Sequence, residues 1–260
     1  MALCKYTTQL QAGLGLIPET LSLLEIWEPK MSSAQLTETA LESGQFPNVS
    51  ARRLRNIVSE CFAPRLLVGN PQYAEWIKSI IPFVESRTVN QLLYVFTCRA
   101  NRILADFIRC VYWPTYSAGH SHIEREAARE FVARANSDGL TYSHWSETTE
   151  KRVSSYLMGA CRDYMLIDAS GGAQVSINVI RMESTVTLLL AYLLHFDGLG
   201  DNQILAHEDW QLFGLERSDV LNELQNLSKQ GHFIVQSAGG VSAISWSYKS
   251  MSELINVITN

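Results

Sequence analysis

Apolar residues recur at helical spacing through the first half of the chain. The clearest run follows Ser50, and it places five apolar residues at positions i, i+3, i+4, i+7 and i+8: Leu54, Ile57, Val58, Cys61 and Phe62. This spacing predicts an amphipathic helix, for which Ser50 is a suitable N-cap. Two earlier helices are predicted at residues 18–28, beginning at a proline, and at residues 32–44, beginning at a serine and ending at a glycine.

Three more helices are predicted before the middle of the chain, at residues 73–80, 88–98 and 101–111. A proline and several small residues then follow at residues 113–119, and they indicate a linker. We therefore expect an N-terminal helical domain over residues 1–116 that contains a helix-turn-helix, and a C-terminal domain over residues 117–260.

The pattern changes in the second half, where alternating apolar residues follow helical segments. The predicted elements are a helix at 122–136, a break at Asp138-Gly139, a helix at 146–161, a strand at 164–168, a turn at 169–172 and a strand at 174–180. Two helices followed by a two-stranded wing are typical of a winged helix-turn-helix, here over residues 117–181.

A second set of elements in the same order predicts another winged unit over residues 182–260. Its helices are predicted at 183–196, 203–213 and 218–230, and its strands at 233–237 and 241–248. The two turns contain Gly-Gly pairs, at 171–172 and 239–240, that lie 68 residues apart. The fold class predicted is mainly α, with small β hairpins. Two unrelated hairpins within one helical domain remain the alternative.

Composition indicates a well-buried globular protein, since 47% of the 260 residues are hydrophobic and 18% are charged. The five cysteines are scattered and form no C-x-x-C pair, which argues against a disulfide framework or a structural zinc site and favours a reducing compartment. The longest apolar segment, residues 185–196, is short of the roughly 20 residues that cross a bilayer. No signal peptide is evident. We expect a cytoplasmic protein without a membrane partner.

Catalytic motifs are not evident in the sequence. There is no G-x-S-x-G motif, and the glycines at 13 and 15 lack the third glycine and the Lys-Ser/Thr of a phosphate loop. His120, His122 and Glu124 supply too few ligands for a metal site. We therefore expect a non-enzymatic protein with no cofactor and no metal, an enzyme being the least favoured alternative.

The helix after Ser50 has a basic face that could bind nucleic acid. Arg52 and Asn56 lie opposite its apolar stripe, Arg55 and Ser59 lie along one flank, and Arg53 lies on the other. Arginine can form two hydrogen bonds with guanine, asparagine can form two with adenine, and either can bind phosphate. A helix, a turn and an arginine-rich helix match the order of a DNA-binding helix-turn-helix. An ordinary solvated helix face is the alternative.

The predicted helix at 146–161 provides a second candidate surface. Lys151, Arg152 and Ser155 lie away from its core stripe, on the face that winged-helix proteins present to DNA, although Glu147 and Glu150 weaken the case. Residues 181–260 carry 4 Lys and Arg against 9 Asp and Glu, a balance that repels phosphate. We expect this last unit to contact protein, either a second copy of the chain or a partner.

Three stretches of sequence resemble the BrxA family of bacteriophage-exclusion (BREX) defence systems: residues 6–20 (YTTQLQAGLGLIPET), Arg65-Leu66, and residues 145–151 (WSETTEK). The resemblance extends over roughly residues 5–237. It implies a mostly helical, non-enzymatic DNA-binding accessory factor, with a helical bundle similar to that of the antitermination factor NusB. It also implies service beside a methyltransferase and an ATPase that distinguish host from phage DNA.

The sequence thus predicts a protein that binds double-stranded DNA and acts with other BREX components, and assembly into a homo-oligomer stays an open alternative. The expected DNA-binding residues are Arg52, Arg53, Arg55, Asn56, Ser59, Lys151, Arg152 and Ser155. A protein-interaction scaffold is the second interpretation. RNA binding is the third, because it needs exposed aromatic side chains near basic residues, and the aromatic residues at 94, 96, 112 and 113 have the spacing of core positions.

Overall fold

The computed structural model describes residues 5–168, 172–238 and 241–259, and most of these residues are helical. The mainly α fold class predicted from the sequence is confirmed. The chain divides into two compact units. The first comprises Met1–Lys78 and Leu93–Ile180, and the second comprises Ser79–Leu92 and Arg181–Asn260. The domain boundaries drawn from the sequence, and its two winged-helix assignments, stay predictions.

The elements follow one another in a helix-rich order. The α-helices are α1 (Ile17–Ile26), α2 (Ser33–Glu42), α3 (Ala51–Ile57), α4 (Ala63–Leu66), α5 (Gln72–Ile80), α6 (Ser86–Ala100), α7 (Arg102–Phe107), α8 (Trp113–Ser117), α9 (Arg125–Ser137), α10 (Glu147–Asp163), α11 (Ser184–Phe196), α12 (Asp201–Leu205), α13 (Arg217–Ser228) and α14 (Met251–Thr259). The strands are β1 (His122–Glu124), β2 (Gln174–Ser176), β3 (Phe233–Ala238) and β4 (Val241–Trp246).

Serine caps fix the starts of three helices. The hydroxyl of Ser32 accepts from the backbone N–H of Gln35 before α2, in a capping box. Ser50 and Ser146 make the same kind of bond before α3 and α10, each at 3.3 Å. Each bond satisfies an N–H that has no partner within the helix, so the predicted caps of α2 and α3 are confirmed, and Ser146 is a further cap that the sequence analysis did not name.

Two helices continue through wide π turns. A π turn at Val58–Phe62 joins α3 to α4, and another at Ile108–Tyr112 joins α7 to α8. Each is followed by a proline, Pro64 or Pro114, at the second residue of the next helix. Proline has no N–H and clashes with the preceding turn of a regular α-helix, which the wider π turn accommodates. The segment predicted as a linker at 113–119 therefore begins with a helix.

The first sheet corrects two sequence predictions. β1 pairs antiparallel with β2, with buried Ile123 opposite buried Val175. The helix predicted at 122–136 therefore begins only at Arg125. The strand predicted at 164–168 is reduced to one isolated bridge between Ile167 and Ile177, because the chain leaves α10 in a turn with Met165 at a φ of 60°. Most of the predicted turn, at 169–171, lies outside the described residues.

The second sheet is the antiparallel hairpin of β3 and β4, which confirms the pair of strands predicted there. The helix predicted at 203–213 is divided into α12 and a 3-10 turn at Trp210–Phe213. The helix α14 was not predicted. The Gly-Gly pair of this hairpin, at 239–240, lies outside the described residues, as does Gly171 of the first pair.

The apolar stripe of α3 and its π turn lies in the core of the first unit. Leu54, Ile57, Val58, Cys61 and Phe62 are all buried, with exposures of at most 2%. The amphipathic helix predicted after Ser50 is therefore confirmed, and its opposite face is directed toward solvent. No helix within the described part of the chain has the length and apolar character needed to cross a membrane.

Candidate nucleic-acid interface

The outer face of α3 presents two arginines to solvent. Arg52 and Arg55 are exposed, and so are Asn56 of α3 and Ser59 in the π turn that follows it. Among the residues that the structure describes, neither of these two arginines has a hydrogen-bond or ion-pair partner. The first acidic residue after Ser50 is Glu60, beyond the end of α3. This face therefore offers positive charge that no carboxylate of α3 offsets.

Arg53 is placed differently from its neighbours. It is half-buried, and its Nη1 donates a hydrogen bond to the backbone carbonyl of Ala12. This bond ties the start of α3 to the segment that precedes α1. Arg53 therefore has an intramolecular role that its position in the sequence did not indicate.

The second candidate surface lies on α10, where the three predicted residues are all exposed. Lys151 Nζ donates to Glu147 Oε1 at 2.6 Å, and this bond lowers the pKa of Glu147 below its ordinary value. The hydroxyl of Ser155 donates to the backbone carbonyl of Lys151 at 2.9 Å. Of the two cations, only Arg152 is without a partner among the described residues. Both candidate surfaces belong to the first compact unit.

A buried asparagine shapes the turn that leads into α10. The carboxamide of Asn136, near the end of α9, bonds to both backbone polar groups of Trp145. It also accepts from Thr141 Oγ1 at 3.1 Å and donates to Glu150 Oε1 at 2.6 Å. The sequence analysis missed this residue. Its signal is a polar residue at a core position of α9, just before Asp138-Gly139.

The same turn is braced by the start of the chain. The backbone N–H of Tyr6 donates to the carbonyl of Leu140 at 2.7 Å, and the N–H of Tyr142 donates to the carbonyl of Tyr6 at 2.9 Å. The hydroxyl of Tyr6 donates to Asp106 Oδ2 at 2.8 Å. The turn before α10 is therefore bonded to the backbone of Tyr6, and the Tyr142 side chain beside it is 78% exposed.

The histidines before α9 lie along an open groove. His120, His122 and Glu124 line an open groove of about 530 Å³, together with Glu126 and Glu130. Within the described residues, no group of three or more His, Cys, Asp or Glu side chains is arranged to hold a metal ion.

The helix α13 of the second unit differs in charge from α3. Its exposed cation, Arg217, bonds to the carbonyl and the side chain of Asn202 at 3.1 and 2.6 Å. Asp219 accepts from the backbone N–H of Glu216 at 2.9 Å, which caps the helix. The first turn of α13 therefore presents carboxylates and an arginine that is already bonded.

Comparisons with known proteins agree with this mainly helical architecture. The crystal structure of an uncharacterized protein from Magnetospirillum magneticum is similar in fold, with a TM-score of 0.56 and 14% identity over 74% of this chain and 93% of that chain. No curated protein matches the chain. The family model for BrxA matches residues 4–192, well over half of the sequence. On the strength of that match, the chain belongs to the BrxA family.

Proposed function

We propose that this protein is a non-enzymatic component of a BREX defence system that binds double-stranded DNA. Membership of the BrxA family implies the place in BREX defence. The DNA-binding activity is inferred from the basic surfaces of α3 and α10, and it uses no cofactor or metal. The bound duplex and the other BREX components are the partners that this function requires.

The observation that carries DNA binding is the unpaired charge on α3. Arg52 and Arg55 lie on the exposed face of α3, whose opposite face packs in the core. No carboxylate among the described residues pairs with either charge. Displacement of counterions from phosphates by such side chains supplies most non-specific affinity for DNA. Asn56 is exposed on the same helix and is the side chain we assign to a base edge, while Ser59 can donate to a phosphate.

The order of elements around α10 supports a winged helix-turn-helix at 117–181. The strand β1 precedes α9 and α10, and the chain then returns to pair with β1 through β2. In such a unit the second helix of the pair enters the major groove. This assignment makes Lys151 and Arg152 phosphate contacts, and Ser155 becomes one when its hydroxyl rotates away from the Lys151 carbonyl. The elements α11 to α13, followed by β3 and β4, support a second unit of the same kind at 182–260.

A mobility-shift titration at several salt concentrations tests this function. The protein is titrated against a duplex of about two helical turns, beside a variant in which Arg52, Arg53 and Arg55 are alanine. Each lost phosphate contact is expected to lower the slope of log K against log salt by about 0.9. The variant should bind more weakly with a flatter slope. Equal slopes for the two proteins contradict the assignment to α3.

A protein-interaction scaffold is the second candidate function, and the acidic second unit favours it. Residues 181–260 hold 9 acidic and 4 basic residues, so we propose that this unit docks protein, a second copy of the chain or a BREX partner. Cross-linking of bound DNA to the protein shows whether the duplex contacts α3 and α10 or the acidic second unit. Cross-links chiefly within residues 214–249 contradict a protein-docking role for this unit.

RNA binding is the third candidate, and burial of aromatic residues weighs against it. Tyr94, Phe96 and Tyr112 are buried, as their spacing predicted, and cannot stack on unpaired bases, whereas Trp113 is half-buried. Competition between duplex DNA, duplex RNA and single strands is the measurement that separates these ligands. We expect duplex DNA to compete best.

A further inference from the structure

The loop formed by residues 12–15 is held on one side by α3 and α4, the two helices joined by the π turn at Val58–Phe62. Arg65 in α4 donates to three successive carbonyl groups of this loop: from Nη2 to Gly13 at 2.6 Å and Leu14 at 2.7 Å, and from Nη1 to Gly15 at 2.9 Å. Arg53 donates to the fourth carbonyl, that of Ala12. All four carbonyl groups of the 12–15 loop therefore accept hydrogen bonds from the guanidinium groups of α3 and α4.

The other side of the loop is held by the end of α10. Asp163 Oδ2 accepts from the backbone N–H of Gly15 at 2.8 Å, and the hydroxyl of Tyr164 lies 3.3 Å from the Gly15 carbonyl. Gly159 lets α10 approach closely, because a Cβ there would lie 2.7 Å from Leu14 Cδ1. The loop is thus bonded to both helices that carry the candidate DNA-binding residues.

Arg65 forms three of the hydrogen bonds that hold the 12–15 loop. Arg65 is only 6% exposed, and it forms no ion pair among the described residues. A buried charge is tolerated when it is well hydrogen-bonded, and bonds to a charged donor are stronger than neutral ones. The planar guanidinium can reach several carbonyls at once, which an ammonium group on a flexible stem cannot do in the same geometry.

We infer that Arg65 is a positioning residue that fixes α3 and α10 relative to one another through the 12–15 loop. Its consequence for DNA rests on the proposed function. When the spacing of α3 and α10 is fixed, the DNA-binding residues of both helices contact one duplex together. When the spacing varies, the effective concentration of the second helix at the DNA is lower once the first has bound. Arg65 touches no DNA in this arrangement and acts through the helices that do.

A distance measurement tests the positioning role without DNA. Spin labels are attached at Ala51→Cys in α3 and Thr148→Cys in α10, both exposed, in a chain where Cys4 and Cys110 are serine. We expect a narrow distance distribution in this parent and a broader one in Arg65→Met. Asp163→Ala, which cuts the loop from α10 only, should also broaden it and provides a second variant if Arg65→Met does not fold.

The matched control is Arg109→Met, which removes another buried arginine of the same unit. Its side chain is 9% exposed and pairs with Asp106 at 3.4 Å. It should lower the stability without broadening the distribution. A distribution as narrow in folded Arg65→Met, or in Asp163→Ala, as in the parent overturns the positioning role.

Salt titration of DNA binding supplies the second readout. Arg65→Met should bind at least tenfold more weakly and lose up to about 1.8 from the salt slope, the largest share that the two cations of α10 can supply. Adding Lys151→Ala and Arg152→Ala should then change the slope little further. A slope equal to that of the parent overturns the coupling. If the parent itself does not bind duplex DNA, the proposed function fails, and the distance measurement alone still decides the role of Arg65.

Discussion

Asn136 and Trp145 are joined by a reciprocal pair of hydrogen bonds across the turn between α9 and α10. Asn136 Nδ2 donates to the Trp145 carbonyl at 2.9 Å, and the Trp145 N–H donates to Asn136 Oδ1 at 2.9 Å. With the bonds to Thr141 and Glu150, the carboxamide uses both of its donors and both acceptor positions. One buried side chain therefore fixes where α10 begins.

Replacing Asn136 with Asp should destabilise the fold. The substitution keeps the shape but removes both donors, and it places a carboxylate against the carbonyl of Trp145 and the carboxylate of Glu150. Leaving buried polar groups unpaired and like charges in contact should lower the free energy of unfolding by about 2–4 kcal/mol. Urea unfolding followed by circular dichroism measures this loss. Asn48→Asp, at an exposed position, is the control. Equal unfolding free energies for the two variants contradict this role of Asn136.

The three arginines of α3 should differ in what they contribute. Arg52→Ala and Arg55→Ala each remove an exposed charge, so each should lower the salt slope of DNA binding by about 0.9 and leave the stability unchanged. Arg53→Ala also removes the bond to Ala12. It should lower the free energy of unfolding by about 1–3 kcal/mol and change the slope less. Stability curves and salt titrations of the single variants measure both quantities. A slope that falls most in Arg53→Ala contradicts this division.

Glu147 should restrain the contribution of Lys151 to DNA binding, because it holds the ammonium group at 2.6 Å. In Glu147→Gln, Lys151 loses its charged partner and a negative charge near the phosphates disappears. We expect tighter binding and a salt slope steeper by up to about 0.9. Glu126→Gln, which removes a similar exposed partner of Arg129 on α9, controls for net charge. An equal gain in affinity for both variants contradicts a specific effect at α10.

Local signals in the sequence predicted much of the fold. A serine before a helical segment located the starts of α2 and α3, because capping depends on residues only three positions apart. The strand β1 could not be predicted this way. His122–Glu124 is three residues long and pairs with residues about fifty positions later, so its partner is set by tertiary packing rather than by local alternation.

The candidate site was predictable only in its exposed part. The helical period placed Arg52 and Asn56 opposite the core stripe, and both are exposed. Arg53 and Arg65 bond to backbone carbonyls of the 12–15 loop, some forty to fifty residues away. Since a backbone carbonyl carries no sequence signature, these contacts appear only once the chain is folded.

His195 in the second unit should make stability depend on pH. Its ring is stacked on Trp246, with centroids 4.3 Å apart and planes at 12°. Burial lowers the pKa of His195 below its usual value of 6.5, and the opposing effect of Asp201 is smaller. The folded state therefore binds this proton less readily than the unfolded state. The stabilisation is complete above about pH 6.5 and is lost as the pH falls toward the lowered pKa.

Urea unfolding of the whole protein at pH 7 and pH 5 measures this linkage. We expect the unfolding free energy to be lower at pH 5, and the decrease to be smaller in His195→Phe, which keeps an aromatic ring against Trp246 but cannot bind a proton. His144→Gln, an exposed histidine of the first unit, serves as the control and should retain the full decrease. A decrease as large in His195→Phe as in the parent would assign the pH dependence to other groups, among them His232, whose pKa burial also lowers.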